Sequence, residues 1–478
     1  MSNRLFEQPA TAVVDLLRVR AISPREVLDD IALRVDSVNP AVNALVTFCY
    51  DRARARAAAL EPKHRPERGV LSGLPIPIKD AYAVAGVRTT IGSLAYADWV
   101  PDHSDYFVEA IEAAGGVVFA KSNTPEFQAG ANTFNEVFGR TLNPWDTRLS
   151  AAGSSGGAAV AVATGMAHIA QGSDNACSLR YPASFCGIVG LRPSPGIVPK
   201  GPSPLPHQVL SVIGPLARSV ADAGLGLDAM ARFDPRDPRS RPNCAGSYRA
   251  AAEAPERPAR AAFSMDLGGA ARISAEVRSV VEAAMARLVA AGLAVDEAAP
   301  DVSRARDAFL PIRAFQFAAL FREALAGHRD KLKPEVVWNI EEGLKLTAAD
   351  LAAAEAARAE ARDAMVGFIG DHGVLITPTA PVPPYPVEKR YVDEIDGETL
   401  HTYLDWLVLG FSITVTGCPA ISIPCGFTAG GLPVGLQLVG APYGEEPLLR
   451  TAAWCEAVLG VGPIAPIDPR TPAAGTPA

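Results

Sequence analysis

Residues 153–193, GSSGGAAVAVATGMAHIAQGSDNACSLRYPASFCGIVGLRP, place two serines in small-residue turns on either side of an apolar segment. The serines are Ser154 and Ser178. A serine hydroxyl is a weak nucleophile until a base takes its proton, and the oxyanion made by its attack needs oriented N–H donors. Small residues around Ser178 let the backbone come close enough to a substrate carbonyl to supply them. The candidate base lies upstream, in Gly73-Leu-Pro-Ile-Pro-Ile-Lys79-Asp80, where a lysine ends an apolar run that reads as a buried strand. A lysine held there loses solvation, and its pKa falls toward a value at which it can be neutral and act as a base.

In this order and spacing the three pieces resemble the amidase signature family of serine hydrolases. The lysine motif matches at Leu74-Pro75-Ile76-Pro77-Ile78-Lys79-Asp80, and the glycine–serine motif at Gly153-Ser154-Ser155-Gly156-Gly157. The nucleophile motif matches at Gly172-Ser173-Asp174, then Ser178, Arg180, Pro182, Ala183, Cys186 and Gly187. Further landmarks are Asn39-Pro40-Ala-Val-Asn43-Ala44, Lys121-Ser-Asn123-Thr-Pro125-Glu126-Phe127 and Asn143-Pro144-Trp145-Asp146. So are Gly417-Cys-Pro419-Ala420-Ile-Ser-Ile-Pro424 and Gly431-Leu-Pro433-Val434-Gly435-Leu-Gln437. They span nearly the whole chain.

The resemblance implies an α/β fold with a large mixed β-sheet covered by helices on both faces. It implies amide hydrolysis through an acyl-enzyme, with Ser178 as nucleophile, Ser154 after a cis peptide bond as relay, and Lys79 as base. The oxyanion would sit on the N–H groups of Asn175, Ala176, Cys177 and Ser178. No metal or organic cofactor is called for. One departure stands out: the family carries a threonine and two glycines where this chain has Asn175, Ala176 and Cys177. Alanine and cysteine keep their N–H groups, but their Cβ atoms restrict φ and take up space near the carbonyl. The expectation is an altered pocket on a live enzyme, with Cys177 a small apolar wall.

Bland readings stand beside these. Lys79 could be paired by the adjacent Asp80, and serines in glycine-rich turns are usually turn formers. Residues 153–157 could cradle a phosphate at a helix N-terminus, but the Gly-Lys-Ser/Thr ending of a P-loop is missing. Asp174 and Arg180 read as a structural ion pair. His103 and His168 receive no role.

With 49% hydrophobic and 20% charged residues, the 478-residue chain has the balance of a folded protein with a large core. Forty-four basic against 52 acidic residues give −8, without a basic block, so nucleic acid or an anionic membrane is not the indicated partner. Seven cysteines (49, 177, 186, 244, 418, 425 and 455) show neither C-x-x-C nor a His–Cys cluster. Reduced thiols in the cytoplasm are expected, without zinc or disulfides. No signal peptide pattern and no run of about 20 apolar residues appears.

Along the chain, Ser23-Pro24-Arg25-Glu26 is a helix start with a capping box. Tyr106 to Ala114 reads as helix and Val117 to Ala120 as strand, an alternation that argues for an α/β sheet. Ser274, and Thr347 with Asp350, open later helices, and Val374 to Thr377 is a strand. The expected organisation is one unit, 1–478. It divides into an N-terminal helical segment (1–65), the signature core (66–230), a surface connection (231–262), a variable substrate-pocket half (263–463) and a flexible tail (464–478).

The substrate is expected to be a small amide. The resemblance places its pocket in variable loops at about 128–138, 309–321 and 381–391. Phe134, Phe315, Phe317 and Phe321 then suggest an apolar or aromatic group, compatible with anilides, lactam oligomers or carbamates (urethanes). A homodimer is a family-level expectation. Two alternatives remain. One is the glutaminase component of a tRNA-dependent amidotransferase, against which stands Tyr181 where those components carry glutamine. The other is a non-catalytic binding protein on the same fold.

Overall fold

Local start signals are obeyed at the helix ends. In the computed structural model, which describes residues 4–63, 65–242 and 246–471, Ser23 accepts from the Glu26 N–H and Glu26 returns to the Ser23 N–H, with Pro24 opening the helix Pro24–Val42. Thr347 and Asp350 build the same box at the head of Ala348–His372. Ser274 caps Ala275–Ala290. Each such cap satisfies N–H groups that the first helical turn leaves without partners.

Among the described residues two sheets position the site, and three two-stranded ribbons lie apart from them. β1 (Leu45–Phe48), β2 (Pro75–Lys79) and β3 (Val117–Ser122) make a small one, ordered β1-β3-β2, with β2 parallel and β1 antiparallel to β3. The large one contains β4 (Ile169–Asp174), β5 (Val189–Arg192), β6 (Val212–Ala217), β7 (Ala261–Phe263), β8 (Val295–Glu297), β9 (Leu375–Pro378), β10 (Ala420–Phe427) and β11 (Pro433–Val439). Its order is β8-β7-β9-β11-β10-β5-β6-β4. The β7 pairs are parallel and the remaining pairs antiparallel, so the sheet is mixed.

Every residue of β4, β6, β9 and β11 is buried, which requires cover on both faces. Val220–Met230 and Glu445–Leu459, in mutual contact, cover one face; Gly156–Ala163 and Arg180–Cys186 cover the other. Gly156–Ala163 is apolar and buried all round because it is wedged between the sheets, touching β1, β2 and β3 as well as β4 and β6. A Cβ on Gly157 would lie 2.4 Å from the Asn123 nitrogen and 2.5 Å from the Ala44 oxygen, so only glycine permits this approach.

Four expectations need correction. The N-terminal segment also contributes a strand, β1, and the 231–262 connection folds a helix, Tyr248–Ala252, before β7 begins at Ala261. Residues 309–321 are not a loop; they lie inside the long helix Ala305–His328, which carries Pro311. Part of the expected flexible tail is docked. The Ile467 and Arg470 N–H groups donate to the Ala163 and Pro144 carbonyls, and buried Arg34 binds Asp468 at 2.6 Å. Residues 472–478 lie outside the described ones, as does Cys244. Among the described residues no helix is long and apolar enough to cross a membrane.

Candidate active site

Lys79 ends β2 and is fully buried. Alternation along the strand separates it from Asp80. Asp80 turns to Thr90, whose hydroxyl donates at 2.5 Å, and to Lys121 at 3.5 Å. The Lys79 ammonium instead sits in a cage of hydroxyls: Nζ lies 2.7 Å from Ser154 Oγ, 3.0 Å from Ser173 Oγ and 3.1 Å from Ser155 Oγ. Its backbone N–H donates to Gln171 Oε1 at 3.0 Å, which ties the small sheet to the edge strand of the large one. Burial drives the Lys79 pKa well below the ordinary lysine range, against the weaker pull of Asp174 and Cys177.

The cage is itself braced. Ser173 donates to Gln128 Oε1 at 2.7 Å, and Ser155 donates to the Ser173 carbonyl at 3.2 Å. The peptide bond joining Gly153 to Ser154 is cis, as expected. Ser155, Ser173 and Gln128 were not singled out from the sequence, although Ser155 and Ser173 stand inside the quoted motifs.

Beyond β4 the chain turns through Asn175, Ala176 and Cys177 to Ser178 and into the helix Arg180–Cys186. Asp174 anchors this turn. Its carboxylate accepts two bonds of 2.9 Å from Arg180, a third at 3.3 Å from Arg192, and the Leu179 N–H at 3.2 Å. Burial works against its charge, yet the two guanidinium groups outweigh it and hold the carboxyl below its usual range. The ion pair read from the sequence is therefore present. The backbone N–H groups of Ala176, Cys177 and Ser178 meet no acceptor among the described residues. Positions 175–177 are not among those with positive φ, so the Cβ atoms that replace the family's glycines impose no left-handed strain. Cys177 is fully buried, and desolvation raises its thiol pKa far above the usual range, leaving an inert wall. A Cβ on the facing Gly410 would lie 2.6 Å from the Cys177 Cβ and 2.5 Å from the Ala176 oxygen.

Ser154, Ser178 and residues 175–177 open onto one cavity. Of the four phenylalanines expected there, Phe317 and Phe321 line it. Phe315 does not; two residues from Phe317 on a helix, it points away, 37% exposed, toward a separate groove beside Leu205 and Leu351. Phe134 is drawn elsewhere, with the Lys333 ammonium 3.9 Å and the Arg390 guanidinium 5.2 Å from its ring centre. Arg313, Gln316, Lys200 and Tyr403 line the cavity without having been anticipated. His168 is buried, bonded to the Leu5 carbonyl, with burial pushing its pKa down to about 3; His103 is a surface partner of Asp102. Among the described residues no group of three or more His, Cys, Asp or Glu could hold a metal ion.

Residues 26–449 match the family model described as Amidase. An acylamidase of Rhodococcus erythropolis is 35% identical over 457 residues, covering 94% of this chain and 95% of its own. The A component of the glutamyl-tRNA(Gln) amidotransferase of Moorella thermoacetica is 34% identical, with 94% and 96% covered. In three dimensions the chain is similar to a bacterial aryl acylamidase of the amidase signature family, with a TM-score of 0.88 at 25% identity and 99% of both chains covered.

Proposed function

The chain belongs to the amidase signature family, and on that premise we propose that it hydrolyses the carbon–nitrogen bond of a small amide with Ser178 as nucleophile, Ser154 as relay and Lys79 as base. One observation carries this reading: a fully buried lysine held 2.7 Å from Ser154 among hydroxyls, beside the cavity that Ser178 faces. The contact passes a proton either way, since a charged Nζ donates to Oγ and a neutral one accepts from it. A lysine favoured in its neutral form is poised to accept.

In the reaction Ser178 Oγ attacks the carbonyl carbon while its proton passes to Ser154, whose own proton goes to Lys79. The carbonyl π electrons move to oxygen, and the free N–H groups at 176–178 receive the oxyanion. When the intermediate collapses, the carbon–nitrogen bond breaks. The leaving nitrogen takes a proton from Ser154, which is refilled from Lys79. Water then repeats the sequence on the acyl-enzyme and frees the acid. Asp174 takes no part in proton transfer, because its charge is committed to Arg180 and Arg192, and it serves to fix the turn.

The names of the two acylamidase relatives favour acyl amides and anilides as substrates; lactam oligomers and carbamates present the same carbonyl beside nitrogen. A fluorophosphonate should form a single adduct on Ser178, located by peptide mapping, absent in Ser178→Ala and slowed in Lys79→Ala. An adduct on another serine, or none under conditions that label a related hydrolase, refutes the assignment.

The Moorella relative favours a second reading, the glutaminase component of an amidotransferase. Against it, Tyr181 is committed to the core, its ring packed at a 55° tilt against Trp406 and its hydroxyl donating to the Trp406 carbonyl at 3.1 Å. Co-purification with partner chains and glutamine-dependent ammonia release would establish that reading. Turnover of acyl amides by the isolated chain supports the first.

A further inference from the structure

The cavity at Ser178 has two unlike walls. One is apolar: Phe127 and Phe321 stack at 4.2 Å, and Phe317 meets Phe321 edge-on at 5.6 Å. The other carries Arg313, Gln316 and Lys200, and among the described residues no aspartate or glutamate lines the cavity.

Arg313 is the unusual member. It is only 5% exposed, yet no carboxylate among the described residues lies within ion-pair distance. Its Nη2 donates to the Tyr403 hydroxyl at 3.0 Å, and its plane covers the Phe317 ring at 4.5 Å. Its Nε is buried without an acceptor. A guanidinium does not escape burial by losing its proton, so a charge left there unpaired is costly. Beside it Gln316, 3% exposed, accepts from Asn175 Nδ2 at 3.0 Å and leaves its own Nε2 without an acceptor; Asn175 Oδ1 is the one unmet acceptor in the group. Lys200 adds a second cation whose pKa is held down to about 7 by burial and by Arg239, which Asp105 and Asp237 do not offset. An unpaired buried guanidinium, a lysine that is part-charged near neutral pH and an orphaned amide donor, facing a cavity whose described lining holds no carboxylate, describe half of an ion pair.

We infer that the substrate is an amide with an apolar or aromatic body and a free carboxylate, the body lying on the phenylalanine wall and the carboxylate bound by Arg313 with Gln316 and Lys200. An N-acyl amino acid or an acylated aminobenzoate has this form. The inference rests on the reading of Ser178 as nucleophile, since that makes this cavity the substrate site, and it specifies the pocket more narrowly than the apolar reading of its phenylalanines.

The test separates binding from chemistry. Calorimetric titration compares 4-phenylbutyrate with 4-phenylbutan-1-ol, which share a body and differ in charge, on the unsubstituted protein, Arg313→Met and Arg313→Lys. The carboxylate should bind at least about tenfold more tightly than the alcohol, slow fluorophosphonate labelling of Ser178, and lose that advantage in Arg313→Met. Arg313→Lys, which keeps the charge, should retain part of it. Equal affinities on the unsubstituted protein, or a preference that survives in Arg313→Met, overturns the inference while labelling of Ser178 still stands. A carboxylate preference without labelling of Ser178 would instead sink the nucleophile assignment and leave the anion site in place.

Discussion

Replacing Lys79 with methionine removes one nitrogen and little volume, and the structure sets what should follow. Nζ is the group 2.7 Å from Ser154 that can take the relayed proton. Positioned general bases contribute about 10²–10⁴-fold, so kcat/KM should fall by that factor, roughly 3–5 kcal/mol. The pH profile should change shape as well. Activity that needs neutral Lys79 rises with pH until the lysine is deprotonated, and that rise should be missing from whatever turnover the variant retains.

Stability should move the other way. Burial depresses the folded-state pKa below the ordinary 10.5. The resulting penalty is absent above 10.5, grows as pH falls beneath it, and stops growing once pH passes the folded-state value. Each unit of depression costs about 1.4 kcal/mol, and methionine recovers it. Against this, Ser154 Oγ loses its Nζ partner, at about 1–3 kcal/mol. Ser155 and Ser173 keep the Ser173 carbonyl and Gln128 as acceptors. Urea unfolding should therefore show the variant gaining on the parent as pH is lowered from about 10 toward 7. A loss of kcat/KM under about tenfold refutes the base assignment. A stability difference that stays flat over that pH range refutes the claim that the fold depresses the lysine pKa.

Two further substitutions probe the turn. Asp174→Asn leaves the Arg180 and Arg192 guanidinium groups, both fully buried, without their counter-charge, and should cost about 3–5 kcal/mol in urea unfolding; a cost below about 1 kcal/mol would show that the arginines are satisfied by their other acceptors. Gly410→Ala drives a Cβ to within 2.6 Å of the Cys177 Cβ, so overpacking should cost about 1–3 kcal/mol. Its kcat/KM should fall at least about tenfold as the Ala176–Ser178 N–H groups shift; unchanged kinetics in the folded variant would mean that the turn is free to move.

What was legible in the sequence is what local chemistry decides. The serine and threonine caps, the apolar approach to Lys79 and the small-residue turns around Ser154 and Ser178 each announce themselves within a few residues. The second cavity wall did not, and the reason is a misjudged period. Pro311 lies inside an apolar, alanine-containing stretch, and treating 309–321 as a loop discards the angular information that a helix carries. On the helix Ala305–His328, Arg313, Gln316, Phe317 and Leu320 fall at i, i+3, i+4 and i+7, one stripe, and all four line the cavity. Phe315 lies off that stripe. Nothing local signals that Asp80 would choose Lys121 over Lys79, or that Phe134 would be captured by Lys333 and Arg390. Those choices are made by segments far apart in the chain.

The cavity is assembled from two stretches that do not overlap in sequence. Lys79, Ser154, Ser155 and Ser173, locked together across the junction of the two sheets, and Ser178 all precede residue 180. Arg313, Gln316, Phe317, Phe321 and Tyr403 follow residue 300 and reach the cavity from one side. On the proposed reading bond breaking belongs wholly to the first tract, and substrate choice mostly to the second, with Phe127 and Lys200 the exceptions, so most of the recognising wall can drift toward a new amide while the reacting groups stay untouched. Within such an architecture a change of diet needs no change of machinery.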